Sequence, residues 1–238
     1  MECKANHVVG IDLAQHVDHS ALAIVEKLVH AVEAPFGGGD DEGYTYEEIF
    51  RIVYLKQWPI GTLPKTVIVE IADMIHLAQD NLEWATIAYE ATGIGASWAS
   101  LFREKHRAGA LTNLQPKGYT ITGEQTPSHG TSVSKKDLMS KIQRLLAEGR
   151  LELDPDLHLA DRFARELAAI SAKPTASGRL TFNAPQAVHD DIVTAVALAL
   201  HCKSGAPPRY YGTERAPDLD PLAVGASSNP PSPAGMQA

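Results

Sequence analysis

Four carboxylates in this sequence lie at the ends of predicted strands or at the start of a predicted helix, where an acidic side chain needs an ion or a hydrogen-bond partner. Asp12 ends an apolar run that predicts a first β-strand, and Glu90 ends a later run just before a glycine-containing turn. Asp190 and Asp191 precede an apolar, alanine-rich segment that predicts a helix. Because a desolvated carboxylate is costly unless it is paired or binds a metal, this pattern favours a shared divalent cation. Mg²⁺ and Mn²⁺ prefer such oxygen ligands.

The chemistry that such a site supports is phosphodiester hydrolysis. Two divalent ions about 3.5–4 Å apart can activate a water molecule and stabilise the leaving oxygen. Each acid also has a structural alternative, in which Asp12 is a turn residue and Asp190 or Asp191 is the N-cap of the next helix. The occurrence of all three sites in order along one chain favours the metal site over these separate explanations.

Hydrophobic patterning predicts the elements that must position these acids. Short apolar runs predict strands at 7–11, 21–25, 52–55, 84–89 and 119–122. Helical periodicity predicts helices at 64–77, 96–107, 157–170 and 190–201. A fifth helix is predicted to begin after a Ser134 cap and to stop at Gly149, with Leu138, Ile142, Leu145 and Leu146 facing inward. Gly37–Gly43 predicts a loop and Gly178 a hairpin turn. Strands followed by helices predict an α/β or α+β layer fold, in which alanines at 195, 197 and 199 let the last helix pack closely on a sheet.

Composition bounds the class of protein. The 238 residues carry 21 basic and 29 acidic side chains, for a net charge of −8. The charge is uneven, because residues 1–50 hold 2 basic and 10 acidic side chains whereas residues 101–150 hold 9 basic and 4 acidic ones. A basic face for nucleic acid is therefore compatible with an acidic total. No apolar run reaches the ~18 residues of a membrane span, and no signal-peptide pattern is present, so we expect a cytoplasmic protein without a membrane partner.

The C-terminal segment differs in composition from the rest. From Gly205 onward it holds 7 of the 15 prolines together with many Ser, Gly and Ala residues. Such a segment has too little apolar surface to order itself. We therefore predict one domain over residues 1–204 and a disordered tail over 205–238.

Several motifs together resemble the nuclease domain of phage terminase large subunits, a member of the RNase H-like (RuvC-like) superfamily. The first is Val8-Val9-Gly10-Ile11-Asp12, with Asp18 and the apolar run after Ser20. The others follow in the same order along residues 7–202: Trp58-Pro59-Ile60-Gly61-Thr62, Tyr89-Glu90-Ala91-Thr92-Gly93, Val133-Ser134-Lys135-Lys136-Asp137, Gly149-Arg150-Leu151 and His189-Asp190-Asp191-Ile192-Val193-Thr194-Ala195. The block that begins at His189, combined with the strand-end Asp12, is the most specific of them.

The resemblance implies an RNase H-like fold with a central mixed β-sheet flanked by helices. It implies a two-metal endonuclease, using Mg²⁺ or Mn²⁺, that cuts concatemeric phage DNA during packaging. Asp12, Glu90 and Asp191 would be its catalytic metal ligands and Asp190 an additional one. Two positions depart from the family, because many relatives have Asp where this chain has Glu90 and another Asp where Thr194 stands.

The resemblance also implies partners. Double-stranded DNA would contact the basic midsection, through the residues Arg103, Arg107, Lys117, Lys135 and Lys136, of which Lys135 is the strongest candidate. The chain contains no phosphate-binding loop of the G-x-x-x-x-G-K-[ST] type. We therefore expect a nuclease without the ATPase motor, from a phage or prophage, that works in the bacterial cytoplasm with a separate terminase ATPase, a small terminase subunit and a portal.

Three alternatives stay open from the sequence. A Holliday-junction resolvase or a transposase-like nuclease could use the same fold and acids. A catalytically silent DNA- or partner-binding remnant of a split terminase would retain the fold without the activity. A sugar-kinase-like ATPase also begins with a strand that ends in Asp, but it requires a longer, two-lobed chain with glycine-rich phosphate motifs.

Overall fold

The computed structural model describes residues 6–14, 18–33, 44–77, 86–92, 95–107, 115–122, 131–174, 180–183 and 189–202. These ranges contain nine strands and five helices. The strands are β1 (Asn6–Asp12), β2 (Ala21–Glu33), β3 (Tyr44–Gln57), β4 (Thr86–Glu90), β5 (Gln115–Thr122), β6 (Ser132–Ser134), β7 (Leu151–Leu153), β8 (Ser171–Pro174) and β9 (Leu180–Asn183). The helices are α1 (Pro64–Leu77), α2 (Gly95–Arg107), α3 (Lys135–Ala147), α4 (Ala160–Ala169) and α5 (Asp191–His201).

Seven of these strands form one mixed sheet in the order β6-β5-β4-β1-β2-β3-β7. Strands β1, β2 and β3 are antiparallel neighbours. Strand β4 lies parallel to β1 on its other side, and β5 and β6 extend that parallel half. The predicted central mixed sheet with flanking helices is therefore confirmed. Strands β8 and β9 form a separate antiparallel pair.

The two faces of the sheet bury different helices. Along β1, Val8 belongs to the core beneath α3, α4 and α5, whereas Val9 and Ile11 belong to the core beneath α1 and α2. This alternation follows from the two-residue period of a strand. A sheet covered on both faces has no solvated side, which explains why its central strands are apolar throughout.

Helix α5 makes the closest approach to the sheet. Every side chain from Asp191 to Leu200 is buried. A Cβ atom added to Gly10 on β1 would lie 1.9 Å from the Ala195 carbonyl oxygen and 2.8 Å from the Ala199 nitrogen. The predicted close packing of the alanine-rich helix is therefore observed, and it depends equally on the absence of a side chain at Gly10.

Most predicted elements are found, with local corrections. The Ser134 hydroxyl accepts a hydrogen bond from the Asp137 nitrogen at 3.0 Å, as its cap motif predicts. The helix predicted from residue 157 begins only at Ala160, because Leu159 adopts a left-handed backbone with φ of 69°. Leu146 was expected to point inward but is 43% exposed, since it lies at the edge of the stripe formed by Leu138, Ile142 and Leu145.

Some sequence predictions lie outside the described residues. They include the loop Gly37–Gly43, the turn residue Gly178 and the predicted disordered tail 205–238, although the antiparallel pairing of Pro174 with Leu180 is compatible with the hairpin. Among the described residues, no helix has the length and apolar character that a membrane crossing requires.

Candidate metal-binding active site

A cavity of about 310 Å³ opens at the carboxyl ends of β1 and β4, beside the N-terminus of α5. All four acids predicted from the sequence line it, together with one acid from the segment after β1 and a lysine from the start of α3. The charged residues that line it are Asp12, Asp18, Glu90, Lys135, Asp190 and Asp191. Lys135 is the one cation among them, so the cavity wall carries a strong excess of negative charge.

Strand pairing brings Asp12 and Glu90 together. Strands β1 and β4 run parallel with Ile11 opposite Tyr89, so the next residue of each strand ends at the same edge. The two carboxyl groups lie close enough for Glu90 to act on the Asp12 carboxyl. Burial raises the pKa of Asp12 well above its ordinary value, and the charges of Glu90, Asp191 and Asp190 raise it further.

Asp191 lies on the opposite wall, in the first turn of α5. Burial raises its pKa to about 8, and the neighbouring Asp18 adds to the shift. Gln57, at the end of β3, donates from Nε2 to Asp191 Oδ2 at 3.3 Å. Ligand atoms of Asp18, His189 and Asp191 all lie within 4.8 Å of one another, a spacing that one metal ion could bridge.

His189 links this wall to the loops around it. Its Nδ1 forms a short contact with an Asp18 carboxylate oxygen. Its ring meets the ring of His19 edge to face, with centroids 5.2 Å apart, and His19 Nδ1 lies 2.8 Å from the Trp58 carbonyl oxygen. His189 is thus held by specific contacts next to the acids.

Asp190 does not act as the helix cap that was its structural alternative. It occupies the N-cap position of α5, but its side chain makes no capping hydrogen bond. Its Oδ2 accepts instead from Lys135 Nζ at 2.6 Å. The Asp190 carboxylate therefore points towards the Lys135 ammonium group and not towards the N–H groups of its own helix.

Of the five residues predicted to contact DNA, Lys135 lines the cavity. Lys136 and Arg107 are exposed and do not line it. Lys117 lies close enough to Cys202 for its charge to act to lower the pKa of that thiol. Lys117 is therefore near the C-terminal end of α5, whereas the acids are at the N-terminal end. Arg103 belongs to α2, and its side chain lies outside the described residues.

Two site residues were not singled out from the sequence as functional. Asp18 appeared only within a motif, although a carboxylate six residues beyond the first acid, in the connection between the first two strands, is a usable signal. Glu166 follows Ala160 and Phe163 on the buried face of α4, where an acid in an apolar stripe indicates a buried partner. Thr194, the departure from the family pattern, also lines the cavity and is buried.

The donor set fits a divalent cation. Two of its carboxyl groups have pKa values raised by burial and by mutual repulsion, so a positive ion would relieve a cost that the protein otherwise bears. The ligands are predominantly oxygen atoms, which suits Mg²⁺ and Mn²⁺. Asp12, Glu90, Asp190 and Asp191 would hold such ions, with Asp18 and His189 beside them.

Comparison with known proteins finds matches among solved structures, whereas no family model and no curated protein sequence matches this chain. The large terminase nuclease of thermophilic phage G20c, crystallised with bound magnesium, superposes with a TM-score of 0.53 at 19% identity, over 82% of this chain and 80% of the phage chain. The same nuclease with bound cobalt gives 0.54 at 19% identity over 83% and 81%. This chain has the large terminase nuclease fold.

A second phage protein supports the assignment of the terminase nuclease fold. The large terminase nuclease domain of Thermus phage P74-26 gives a TM-score of 0.52 at 19% identity, over 87% of this chain and 84% of that domain. The expected RNase H-like fold class is therefore confirmed. The match extends over most of both chains.

Burial of the acids and repulsion among them predict how stability depends on pH in this terminase-like fold. The pKa of Asp191 rises from 3.8 to about 8, so the native state binds that proton more tightly than the unfolded state does. Stability without metal should therefore fall as pH rises from about 4 to about 8, and Asp12 acts in the same direction.

Thermal melting in EDTA at several pH values checks this prediction. D191N should flatten the decline, and Mn²⁺ should raise the melting temperature most at high pH. A wild-type melting temperature that climbs steadily between pH 5 and pH 8 in EDTA would contradict it.

Proposed function

We propose that this protein is a metal-dependent DNA endonuclease of the terminase nuclease type. The observation that carries the proposal is the convergence of Asp12, Glu90, Asp190 and Asp191 on one cavity. Asp12, Glu90 and Asp191 come from two strands and a helix that are far apart in the sequence, and Asp190 immediately precedes that helix. Rigid elements are what precise placement of metal ions requires.

In this proposal the carboxylates hold two Mg²⁺ or Mn²⁺ ions, with Asp12, Glu90 and Asp191 as catalytic ligands. Bound ions of this kind supply water activation and charge stabilisation in phosphodiester hydrolysis. Gln57 orients the Asp191 carboxylate through its hydrogen bond. Lys135 lies at the cavity wall, where its ammonium group could contact a phosphate oxygen of the DNA once its partner Asp190 is engaged by metal.

The acidic cavity sets conditions on DNA binding. A phosphate group would be repelled by the unneutralised carboxylates, so cations must bind before or with the DNA. The remaining attraction would come from the basic midsection and would weaken as salt rises. We therefore propose double-stranded DNA as the substrate and expect weak DNA binding in EDTA.

The biological setting follows from the same proposal. The protein would cut concatemeric phage DNA during packaging, in the bacterial cytoplasm, as a partner of a separately encoded terminase ATPase, a small terminase subunit and the portal. The fold shared with phage terminase nucleases supports this setting. Co-purification of this chain with a neighbouring ATPase gene product from one operon would test the partnership.

Cleavage of supercoiled plasmid tests the activity. With Mn²⁺ or Mg²⁺ the protein should produce nicked and linear DNA, and EDTA should abolish both products. A closed circle has no ends, so linearisation establishes endonuclease action. Intact plasmid after incubation with either metal at several protein concentrations would contradict the proposal.

The same assay separates the alternatives. Preference for a four-way junction over linear duplex would point to a resolvase. Retained DNA binding without cutting would point to a silent remnant. The second outcome has a structural basis, because Thr194 lies in the cavity where many terminase relatives carry an acid and cannot supply a charged ligand there.

Adjacent lysines offer a matched test of phosphate contact. K135Q removes the cation that lines the cavity, whereas K136Q removes an exposed charge one residue away. A charge-assisted hydrogen bond contributes about 1.5–3 kcal/mol, so K135Q should slow plasmid cleavage by about 10–100-fold. K136Q should slow cleavage by much less, because Lys136 does not line the cavity. Equal rates for the two variants, measured at saturating Mn²⁺, would exclude this role for Lys135.

A further inference from the structure

The N-terminus of α5 is capped in an unusual way. The first N–H groups of a helix have no acceptor within the helix, and the N-cap side chain usually accepts from the second or third helical residue. In α5 the N-cap is Asp190, which makes no such bond. The second and third residues are Ile192 and Val193, both fully buried, so water cannot replace the missing acceptor.

Glu166 of α4 supplies that acceptor from another helix. Its Oε2 accepts from the Ile192 nitrogen at 3.0 Å. Its Oε1 accepts from Arg162 Nε at 3.1 Å, one turn earlier on α4. Burial raises the pKa of Glu166, while the hydrogen bonds from Arg162, Ile192 and Val193 act in the opposite direction and favour the charged carboxylate. The side chain is 5% exposed, so these contacts account for its burial.

We propose that Glu166 is a positioning residue for the metal site, because it caps α5 in place of Asp190 and leaves the Asp190 and Asp191 carboxylates free for the cavity. This inference rests on the proposed function. When the acceptor on α4 is lost, the buried N–H of Ile192 draws the carboxylate of the N-cap residue, Asp190, away from Lys135 and out of the cavity. The same change disturbs the backbone that carries Asp191.

Two uncharged variants of similar size isolate the hydrogen-bond acceptor. E166Q retains a carbonyl oxygen for Ile192, whereas E166M fills the same volume without one. Both remove the charge of Glu166, which contributes to the raised pKa of Asp191, so a difference between them reports the acceptor alone. R162A is a further control, since it removes the second partner of Glu166 and keeps the bond to Ile192.

Mn²⁺ binding by calorimetry and hydrogen exchange of the Ile192 amide, both on the full chain, test the inference. Residues that orient metal ligands typically contribute about 10–100-fold to metal affinity, and we expect E166M to lose that much. E166Q and R162A should lose less, and Ile192 should exchange faster in E166M than in E166Q. If E166M does not fold, E166D takes its place, because its carboxylate is withdrawn from Ile192 by one methylene while the charge is kept.

Equal Mn²⁺ affinity in wild type and E166M, or equal losses in E166M and E166Q, would overturn the inference. A wild-type chain that binds no Mn²⁺ and cuts no plasmid would instead overturn the proposed function. A chain that binds Mn²⁺ and cuts plasmid, with no difference between the two Glu166 variants, would remove the positioning role alone. The two failures are therefore distinguishable.

Discussion

Replacing Asp12 by Asn should abolish metal-dependent cleavage and at the same time stabilise the metal-free protein. Asp12 lies at the end of β1, beside Glu90 and close enough to Asp190 and Asp191 for their charges to raise its pKa. Loss of one ligand removes several kcal/mol of transition-state stabilisation, which corresponds to a rate lower by about a thousandfold or more. D191N should have a similar effect on cleavage.

The gain in stability has the same origin as the loss of activity. Burial and the neighbouring acids raise the pKa of Asp12, so a neutral amide relieves the cost of burying a charge there and the repulsion that the wild type retains without metal. D12N should therefore melt at a higher temperature than the wild type in EDTA at pH 8. Addition of Mn²⁺ should reverse the order, because it stabilises only the protein that binds it.

Asp73 provides the matched control for this prediction. It is an exposed carboxylate on α1, on the other face of the sheet. D73N should change neither the cleavage rate nor the dependence of melting on Mn²⁺. Wild-type cleavage by D12N, or a lower melting temperature of D12N in EDTA, would show that Asp12 is not part of a repulsive metal site.

A methyl group at Gly10 should have the largest effect on the fold and on the site together. It would lie 1.9 Å from the Ala195 carbonyl oxygen and 2.8 Å from the Ala199 nitrogen. Both are backbone atoms of α5, so neither can rotate away as a side chain could. Overpacking of this kind usually costs about 1–3 kcal/mol and sometimes more, and we expect G10A to lie at the upper end.

The same clash should weaken metal binding. Gly10 is two residues before Asp12, and α5 begins with Asp191 directly after Asp190, so a displaced helix separates the two walls of the cavity. Chemical denaturation and Mn²⁺ titration measure the two effects. Gly149 is the comparison, since it has a φ of 67° with open space around its Cα. G149A should lower the free energy of unfolding by only about 1–2 kcal/mol and leave Mn²⁺ binding unchanged. Equal losses of stability and of Mn²⁺ affinity in G10A and G149A would refute the role of close packing.

Local patterns were sufficient for much of this fold. Asp12 and Glu90 could be placed at strand ends from the apolar runs before them, and Ser134 and Gly149 marked the ends of α3. What the patterns could not supply was the parallel pairing of β1 with β4, which sets Asp12 beside Glu90. The resemblance to terminase nucleases implied a central mixed sheet, but the pairing itself comes from the structure.

The missing parts of the site depend on long-range contacts. His189 and Asp18 are 171 residues apart in the sequence, and no local rule connects them. Glu166 reaches Ile192 from another helix, a relation that only the packing of α4 against α5 creates. Lys117 was predicted to contact DNA as part of the basic midsection, and this stays a prediction; its position on β5 places it near Cys202 and away from the acids.

The central claim is that the acids of β1, β4 and α5 form a divalent-metal site, and anomalous diffraction from crystals soaked in Mn²⁺ tests it most directly. The expected result is Mn²⁺ density in the cavity, in contact with carboxylate oxygens of Asp12, Glu90 and Asp191. Crystals of D12N soaked in the same way should show weaker density or none. Wild-type crystals with Mn²⁺ bound elsewhere and no density in the cavity would contradict the account.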